Sequence, residues 1–485
     1  MKSTDSLIAP MKKLSKIIVI LISASMANQD AAADSLSLDT YLGEVETSHS
    51  GVRAAIESSH GAKLRAQEAE LLYSPTATAT VQYYDDQRIP TSAFSPRSTR
   101  QSSVSLGLSK LTSFGLQSKL SYSVSHTQLE AQSPGSISLP DYYDASPTLE
   151  FSMSLWRNGL GRETQATERL LRSGAIASYY GENFKAKLLR LEAEITYYRL
   201  ALAREVVTIQ RDSLKRAQAL KDWSQKRARL QLADRSDMLQ AEAAVQIREL
   251  ELTSAGDEEK RSSRAFNSLR GNDTEAVTDR VARPSPESIL KLDAKVRTGV
   301  REDLLAAEQV QVATAASAQV SREKNKPSLD LYATVGLSGR DASTSEAFSK
   351  SADINQRAAT VGIKLSAPLY FETQSEVRAG YAQDAHAATL LYERKRFEQE
   401  QDWKNGAIAL DEAKTRMKLT ANLVELQSQK LSHEKDRHRR GRSTTYQVLL
   451  FEQDYSSAQL SHAQAQTEVL RSLAQLKTFT GDKQP

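Results

Sequence analysis

The residues that could do chemistry come first, and they are few. The seven histidines are His49, His60, His126, His386, His433, His438 and His462. A helical metal pair needs side chains three or four apart, so that both lie on one face. His433 and His438 are five apart, and the others are scattered. Cysteine is absent. That excludes disulfides, thiol nucleophiles, thiolate metal sites and a lipid-bearing N-terminal cysteine. Gly159-x-Gly161 is a fragment of a phosphate loop without its third glycine or a following lysine. It reads better as a strand-to-helix corner beside an interfacial Trp156. No Ser/His/Asp set has a recognisable local signature. The acidic residues sit at helical spacing beside Lys and Arg, as surface pairs do. The residues therefore predict no enzyme, no cofactor and no metal.

One cluster has a strong chemical bias. Lys435, Arg437, Arg439, Arg440 and Arg442 stand against Asp436 alone. The plain reading is a solvated helix end, where cations favour the C-terminal dipole. The functional reading is a positive collar that docks an acidic partner or favours anionic cargo. The whole chain carries 64 basic and 60 acidic side chains, net +4, with no bulk bias toward nucleic acid.

These residues must be positioned by long helices. Along Phe184, Leu188, Leu191, Ile195, Tyr198, Leu202, Val206 and Ile209, apolar side chains recur every three or four positions. That spacing makes a single stripe close to a coiled-coil seam. No proline interrupts residues 162 to 270. An arm from Arg162 to about Arg227 would span roughly 100 Å, which suits a tube, a stalk or a bundle. It turns near Leu232 and a shorter helix returns to Gly271.

The design repeats. Moving Asp237–Gly271 forward by 210 positions lays it on Gln447–Gly481 without a gap. Leu239, Glu242, Leu250 and Gly271 then meet Leu449, Glu452, Leu460 and Gly481. A shift of 252 lays Ala54, Ala55 and Pro75 on Ala306, Ala307 and Pro327. Each half reads as Ala-rich helix, proline, strands, long helix, turn, returning helix and glycine stop. In the first half a helix covers Asp34–Tyr73 and a long helical hairpin about 162–271. In the second, a helix covers Ser288–Arg322 and a hairpin about 372–481. A polar segment, 272–287, links the halves, and 482–485 is a tail.

Between helix and hairpin lie strands, about 76–155 in the first half and about 328–366 in the second. Thr76–Tyr84 is β-branched and aromatic. Ser102–Lys110 and Leu116–Gln128 alternate around a turn at Ser113-Phe114-Gly115, and Thr148–Leu155 alternates again. Asp85–Arg100, Glu130–Ser146 and Gly339–Arg357 read as loops. One face of each strand is apolar, the other Ser, Thr, Gln or Lys. That pattern fits a membrane barrel with a wet lumen, or a soluble sheet with one buried face. Two features favour the barrel. Only 39% of residues are apolar, thin for a soluble core of 485 residues. Met11 to Ala24 has the basic start and short apolar run of an export signal, with residues 1–33 as the signal peptide. The first half offers about four strands and the second two. The Ser102–Gln128 hairpin either joins the barrel, giving six strands per protomer, or stands outside as a flap.

The tandem halves, the helix-Pro-strand openings at Pro75 and Pro327, the Gly441–Leu449 stretch and the ends at Leu269-Arg270-Gly271 and Phe479-Thr480-Gly481 together carry a resemblance. The chain resembles the TolC-like family of outer-membrane efflux ducts over essentially its whole mature length. The resemblance implies a mainly α fold with β: a long α-helical coiled-coil tunnel of two tandem repeats joined to a transmembrane β-barrel shared by a homotrimer. It implies an outer-membrane location, a passive duct for drugs, small molecules or secreted proteins, and two partners, a periplasmic adaptor and an inner-membrane transporter. It also implies a gate where the helices turn. Ser236-Asp237 occupies the place of the family's Thr-Asp pair. Gln447 and Leu450 stand where well-known members carry two aspartates, so the acidic ring is missing. Arg442 directly follows Gly441, and Ser443 takes the usual place of a gate arginine. The turns would dock the adaptor: Leu230, Gln231 and Leu232 at the first, without the family's usual glycine, and Arg439 and Arg440 at the second. The alternative from the residues is a periplasmic coiled-coil adaptor or structural scaffold of a transport complex.

Overall fold

The computed structural model describes residues 35–90, 92, 95–132, 137–230, 234–293, 297 and 299–479. The expected signal peptide, Gln231, Leu232 and Gly481 lie outside them. The chain opens with β1 (Ser35–Leu36), α1 (Leu38–Ser48), α2 (Ser50–Arg65) and α3 (Glu68–Leu71). Asp34–Tyr73 is therefore not one helix. His49 leaves the helical region at ψ 113°, and its ring Nδ1 accepts the Val52 amide at 3.3 Å, capping a new helix. The strands β2 (Thr76–Asp86), β3 (Ser98–Leu111), β4 (Leu116–Glu130) and β5 (Asp141–Ser154) follow, then α4 (Arg162–Arg229) and α5 (Arg235–Leu269). Next come β6 (Arg280–Val281), α6 (Pro286–Lys291) and α7 (Glu302–Lys324). Ser288–Arg322 is thus also divided, with Arg301 in extended conformation before α7. Last are β7 (Ser328–Leu337), β8 (Gly339–Asp341), α8 (Thr344–Lys350), β9 (Arg357–Ser366), α9 (Phe371–Arg439) and α10 (Thr445–Lys477).

Helices α4 and α9 run 68 and 69 residues. Each would measure about 100 Å. Their good helix formers and lack of proline let them propagate, and α5 and α10 pack back along them. The chain places α4 between α5 and α10, with α9 on the far side of α10.

Six strands form one antiparallel sheet in the order β2-β3-β4-β5-β7-β9, with the short β8 beside β5. The Ser102–Gln128 hairpin is therefore part of the sheet. The register puts Ala77, Leu108, Leu120, Leu149, Val335 and Ala359 in one row across all six strands. The next row is Thr76, Ser109, Lys119, Glu150, Thr334 and Thr360. Adjacent rows face opposite sides, so one face of the sheet is apolar and the other polar. The apolar face is the open one. Leu106 is 62% exposed and Leu120 55%, while Ser103, Ser105 and Ser109 opposite are half-buried. A soluble sheet has the reverse arrangement.

Strand β5 is longer than its alternation indicates, since Asp141–Pro147 extends it. Pro147 falls between the stretch paired with β8, which ends at Ala145, and the stretch paired with β7, which begins at Thr148. Its missing N–H therefore leaves no gap in either ladder. The Gly339–Arg357 segment holds β8 and α8, the latter capped by Ser343.

The apolar core sits midway along the long helices. Tyr41 stacks on Phe266 at 4.1 Å, and Tyr197, Leu200, Ile289, Met417 and Val469 close around them. The linking segment is tied into this core. Its strand β6 pairs in parallel with β1. The Tyr197 hydroxyl donates to both Leu36 O and Ala282 O, each at 2.7 Å. Burial of that phenol pushes its pKa up to about 12.

Candidate functional site

The two helical turns lie at the same end of the molecule and are joined through side chains. α4 ends at Arg229 with Leu230 as its C-cap, 69% exposed, and α5 begins at Arg235. Ser236 is exposed and Asp237 half-buried in the first turn of α5. The second turn is built more tightly. Gly441, at φ +70°, ends α9: its amide donates to His438 O at 3.0 Å, and the Arg442 amide donates to Arg437 O at 2.9 Å. That pair of bonds is a Schellman stop, which needs a left-handed residue. α10 then starts with a capping box between Thr444 and Gln447. The Ser443 hydroxyl also donates to Gln447 Oε1 at 2.9 Å. Gln447 thus has a structural duty at the helix start, and Leu450, a turn later, is exposed.

The basic cluster is less bare than its spelling suggests. Glu434, buried, holds Arg437 at 3.2 Å and accepts from Ser443. Asp436 pairs with Arg439 at 2.8 Å. Lys435 pairs with Glu452 at 2.6 Å. Three of the five cations are therefore matched. The sequence pattern missed Glu434 and Glu452 because one lies a helical turn upstream and the other comes from the returning helix. Arg440 and Arg442 have no acidic partner among the described residues and remain exposed.

Glu452 is the centre of this end. Its carboxylate, with 6% of the side chain exposed, takes Arg216 of α4 on Oε2 at 2.8 Å and Lys435 of α9 on Oε1 at 2.6 Å. One α10 residue thereby ties three helices from both hairpins. Arg216 also lies over the Tyr455 ring at 5.3 Å. From α5, Arg248 reaches Gln453 on α10. In the first hairpin, Glu242 grips Lys221 of α4 at 3.0 Å. Glu242 and Glu452 are repeat equivalents, so the same carboxylate staples each returning helix to its outgoing one. That identity was the one signal in the sequence for this clamp.

A cavity of about 330 Å³ lies beside the clamp, lined by Trp223, Lys435, His438, Arg439, Val448 and Glu452, among others. His438 is buried, with Nε2 3.4 Å from the Thr445 hydroxyl. Burial and the Arg227 charge push its pKa down, against the opposing pull of Asp237 and Glu434. So His438 couples both turns: Arg227 and Asp237 flank the first, Glu434 and Thr445 the second. Among the described residues no group of three metal-binding side chains occurs, and no helix is long and apolar enough to cross a membrane.

Residues 299–482 match the family described as outer membrane efflux protein. No curated protein sequence matches the chain. Solved structures do match. The outer membrane protein VceC of Vibrio cholerae is 15% identical with a TM-score of 0.64, covering 92% of this chain and 96% of its own. The CmeC outer membrane channel of Campylobacter jejuni is 13% identical with a TM-score of 0.63, covering 98% and 93%. The MtrE outer membrane channel of Neisseria gonorrhoeae is 15% identical with a TM-score of 0.62, covering 91% and 88%. At such identities the likeness establishes the fold alone, long helical hairpins joined to an antiparallel sheet as in those channels.

Proposed function

We propose that the chain, with the fold of outer-membrane channels and an efflux-family second half, is a passive duct of the outer membrane. Three copies share one barrel and one helical tunnel. The observation that carries this reading is the inverted sheet: its apolar rows are open, while Ser103, Ser105 and Ser109 on the other face are half-buried. Such a sheet satisfies its apolar face in lipid and its polar face in a wet lumen. A soluble periplasmic adaptor or scaffold would leave that face in water.

The turns form the mouth that receives cargo from a periplasmic adaptor and an inner-membrane transporter. Ser236, Asp237, Gly441, Arg442, Gln447 and Leu450 border the gate. Leu230, Gln231, Leu232, Arg439 and Arg440 form the docking rim. The duct has no energy source of its own, so the transporter supplies it. Opening is a loosening of α10 and α5 from α4 and α9 at the clamp. Fractionation of cells expressing the full chain tests the reading. The protein is expected in the outer membrane, as a trimer that dissociates only when the detergent extract is heated. Recovery as a soluble monomer would overturn it.

A further inference from the structure

The two halves are unequal in strands. Between α7 and α9 the sheet receives β7 and β9, apart from the three-residue β8. Between α3 and α4 it receives four strands. β2 follows Pro75 as β7 follows Pro327, and β5 leads into α4 as β9 leads into α9. The surplus is the central hairpin β3–β4. We propose that this hairpin is an inserted pair of membrane strands that sets the width of the outer exit, and so the size of cargo released. It gives a trimer eighteen strands, six from each copy, where the repeat alone would give twelve. The proposal rests on the duct reading.

Four observations support it. The hairpin is not appended to an edge. β3 pairs with β2 from Thr76 to Asp86, and β4 pairs with β5 from Leu116 to Gln128. Its apolar side chains, Leu106, Leu108 and Leu120, are more than half exposed and continue the rows of the neighbouring strands. A flap in water would not need them. Its tight turn points toward the helices: Gln165 Nε2 of α4 donates to Ser113 O at 3.0 Å. The connections on the other side, 87–97 and 131–140, are longer, as barrels have it with short periplasmic turns and long outer loops.

Register supplies the fourth. Thr76 reaches Glu150 through Ser109 and Lys119, and Ala77 reaches Leu149 through Leu108 and Leu120. Removing β3 and β4 together would put Thr76 beside Glu150 and Ala77 beside Leu149. Every side chain would keep its face, and the new pair would still be antiparallel. A two-strand insertion is the smallest change that widens the barrel without turning a row inside out. Barrel diameter grows roughly linearly with strand number, so eighteen strands give an exit about half again as wide as twelve.

The absence of native cysteine makes single-cysteine reporters clean. Ser152→Cys places a thiol on the polar face of β5, outside the hairpin. Thiol-reactive polyethylene glycols of graded mass are added outside intact cells, to the full chain and to a variant lacking residues 98–130. The largest polymer that reacts is expected to have about one and a half times the diameter in the full chain. Equal cut-offs in two inserted trimers overturn the proposal and leave the duct reading standing. In the full chain, Leu106→Cys and Leu120→Cys are expected to react with a lipid-soluble maleimide and resist a membrane-impermeant one. Labelling by the impermeant reagent makes the hairpin a flap, even if the deletion variant does not insert. Electron microscopy of the full-length trimer in a lipid disc counts the strands directly: eighteen supports the proposal and twelve overturns it. A full chain that never enters the outer membrane removes the duct reading itself.

Discussion

Glu452 ties together more of the end where the helices turn than the residues singled out by resemblance. It holds Arg216 and Lys435 at once, with its own carboxylate nearly closed off from water. Breaking a buried pair while leaving its partners costs about 3 kcal/mol. Glu452→Gln keeps the shape and removes the charge, so the mouth should loosen. In planar bilayers we expect a higher basal conductance of the trimer, and in cells a greater uptake of large polar antibiotics. Unchanged conductance would return the clamp to a merely stabilising role. His438 adds a pH dependence. Its pKa is lowered in the folded mouth, so the folded state binds fewer protons than the loosened one. The closed mouth keeps this contribution above the ordinary histidine pKa of about 6.5, and loses it as pH falls below that value through the lowered pKa. Conductance should therefore rise on acidification from pH 7.5 to 5. Arg227, Asp237 and Glu434 act on the ring directly, and Arg216, Lys435, Arg439 and Glu452 surround it. His438→Gln should flatten the pH profile, and a profile that survives would assign it to those neighbours. Neither residue stood out in the sequence, because each acts only where three helices meet.

At the scale of elements, the long helices were legible because nothing interrupts their periodicity, and the strands because alternation and exposure agree. What was not legible depends on partners. The Asp141–Pro147 half of β5 looked like a loop because Pro147 forbids most strand positions, and only the gap between β7 and β8 excuses it. The split at His49 depends on a ring nitrogen taking an amide. Glycines divide the same way. Gly441 stops α9 at φ +70°, and a Cβ there would meet nothing within 4 Å. Gly441→Ala should therefore cost only the left-handed backbone term, about 1 kcal/mol. Hydrogen exchange in the last turn of α9 should quicken roughly fivefold. Gly161 joins sheet to helix at φ +75°, and its Cβ would sit 2.0 Å from Ser113 O. Gly161→Ala should displace the β3–β4 turn from α4 and lower the yield of heat-resistant trimer. Equal exchange and equal yields for the two variants would show that neither turn is under tension.

At the scale of the whole molecule, the protomer is left open on two opposite sides. Its helices lie in the order α5, α4, α10, α9, and its strands in the order β2 to β9. Along α9, Leu390, Phe397, Ile408, Leu419 and Leu426 are each more than half exposed. They are spaced by 7, 11, 11 and 7 residues, which returns every one to nearly the same angle on the helix. The stripe runs for about 54 Å. On the opposite side, α5 exposes Leu239, Ile247 and Leu250. The strand edges agree with the helix edges: β9 leads into α9, and β2 lies at the other end. A surface on one side that fits a different surface on the other is heterologous, and such contacts make a ring when the rotation closes, as the proposed shared barrel requires. In the proposed trimer, the α9 edge of one copy would meet the α5 edge of the next, and β9 would meet β2. Leu419→Asp puts a carboxylate in that seam, where an unpaired charge costs far more than burial of leucine gains. Because Leu419 is 63% exposed in the single protomer, the helices themselves should still form. We expect near-normal helical circular dichroism, loss of most of the heat-resistant trimer, and a protein that runs as a monomer in detergent. Leu419→Met should keep the trimer. An intact trimer with Leu419→Asp would turn the stripe toward water or toward the adaptor, and the ring would then have to close through another face.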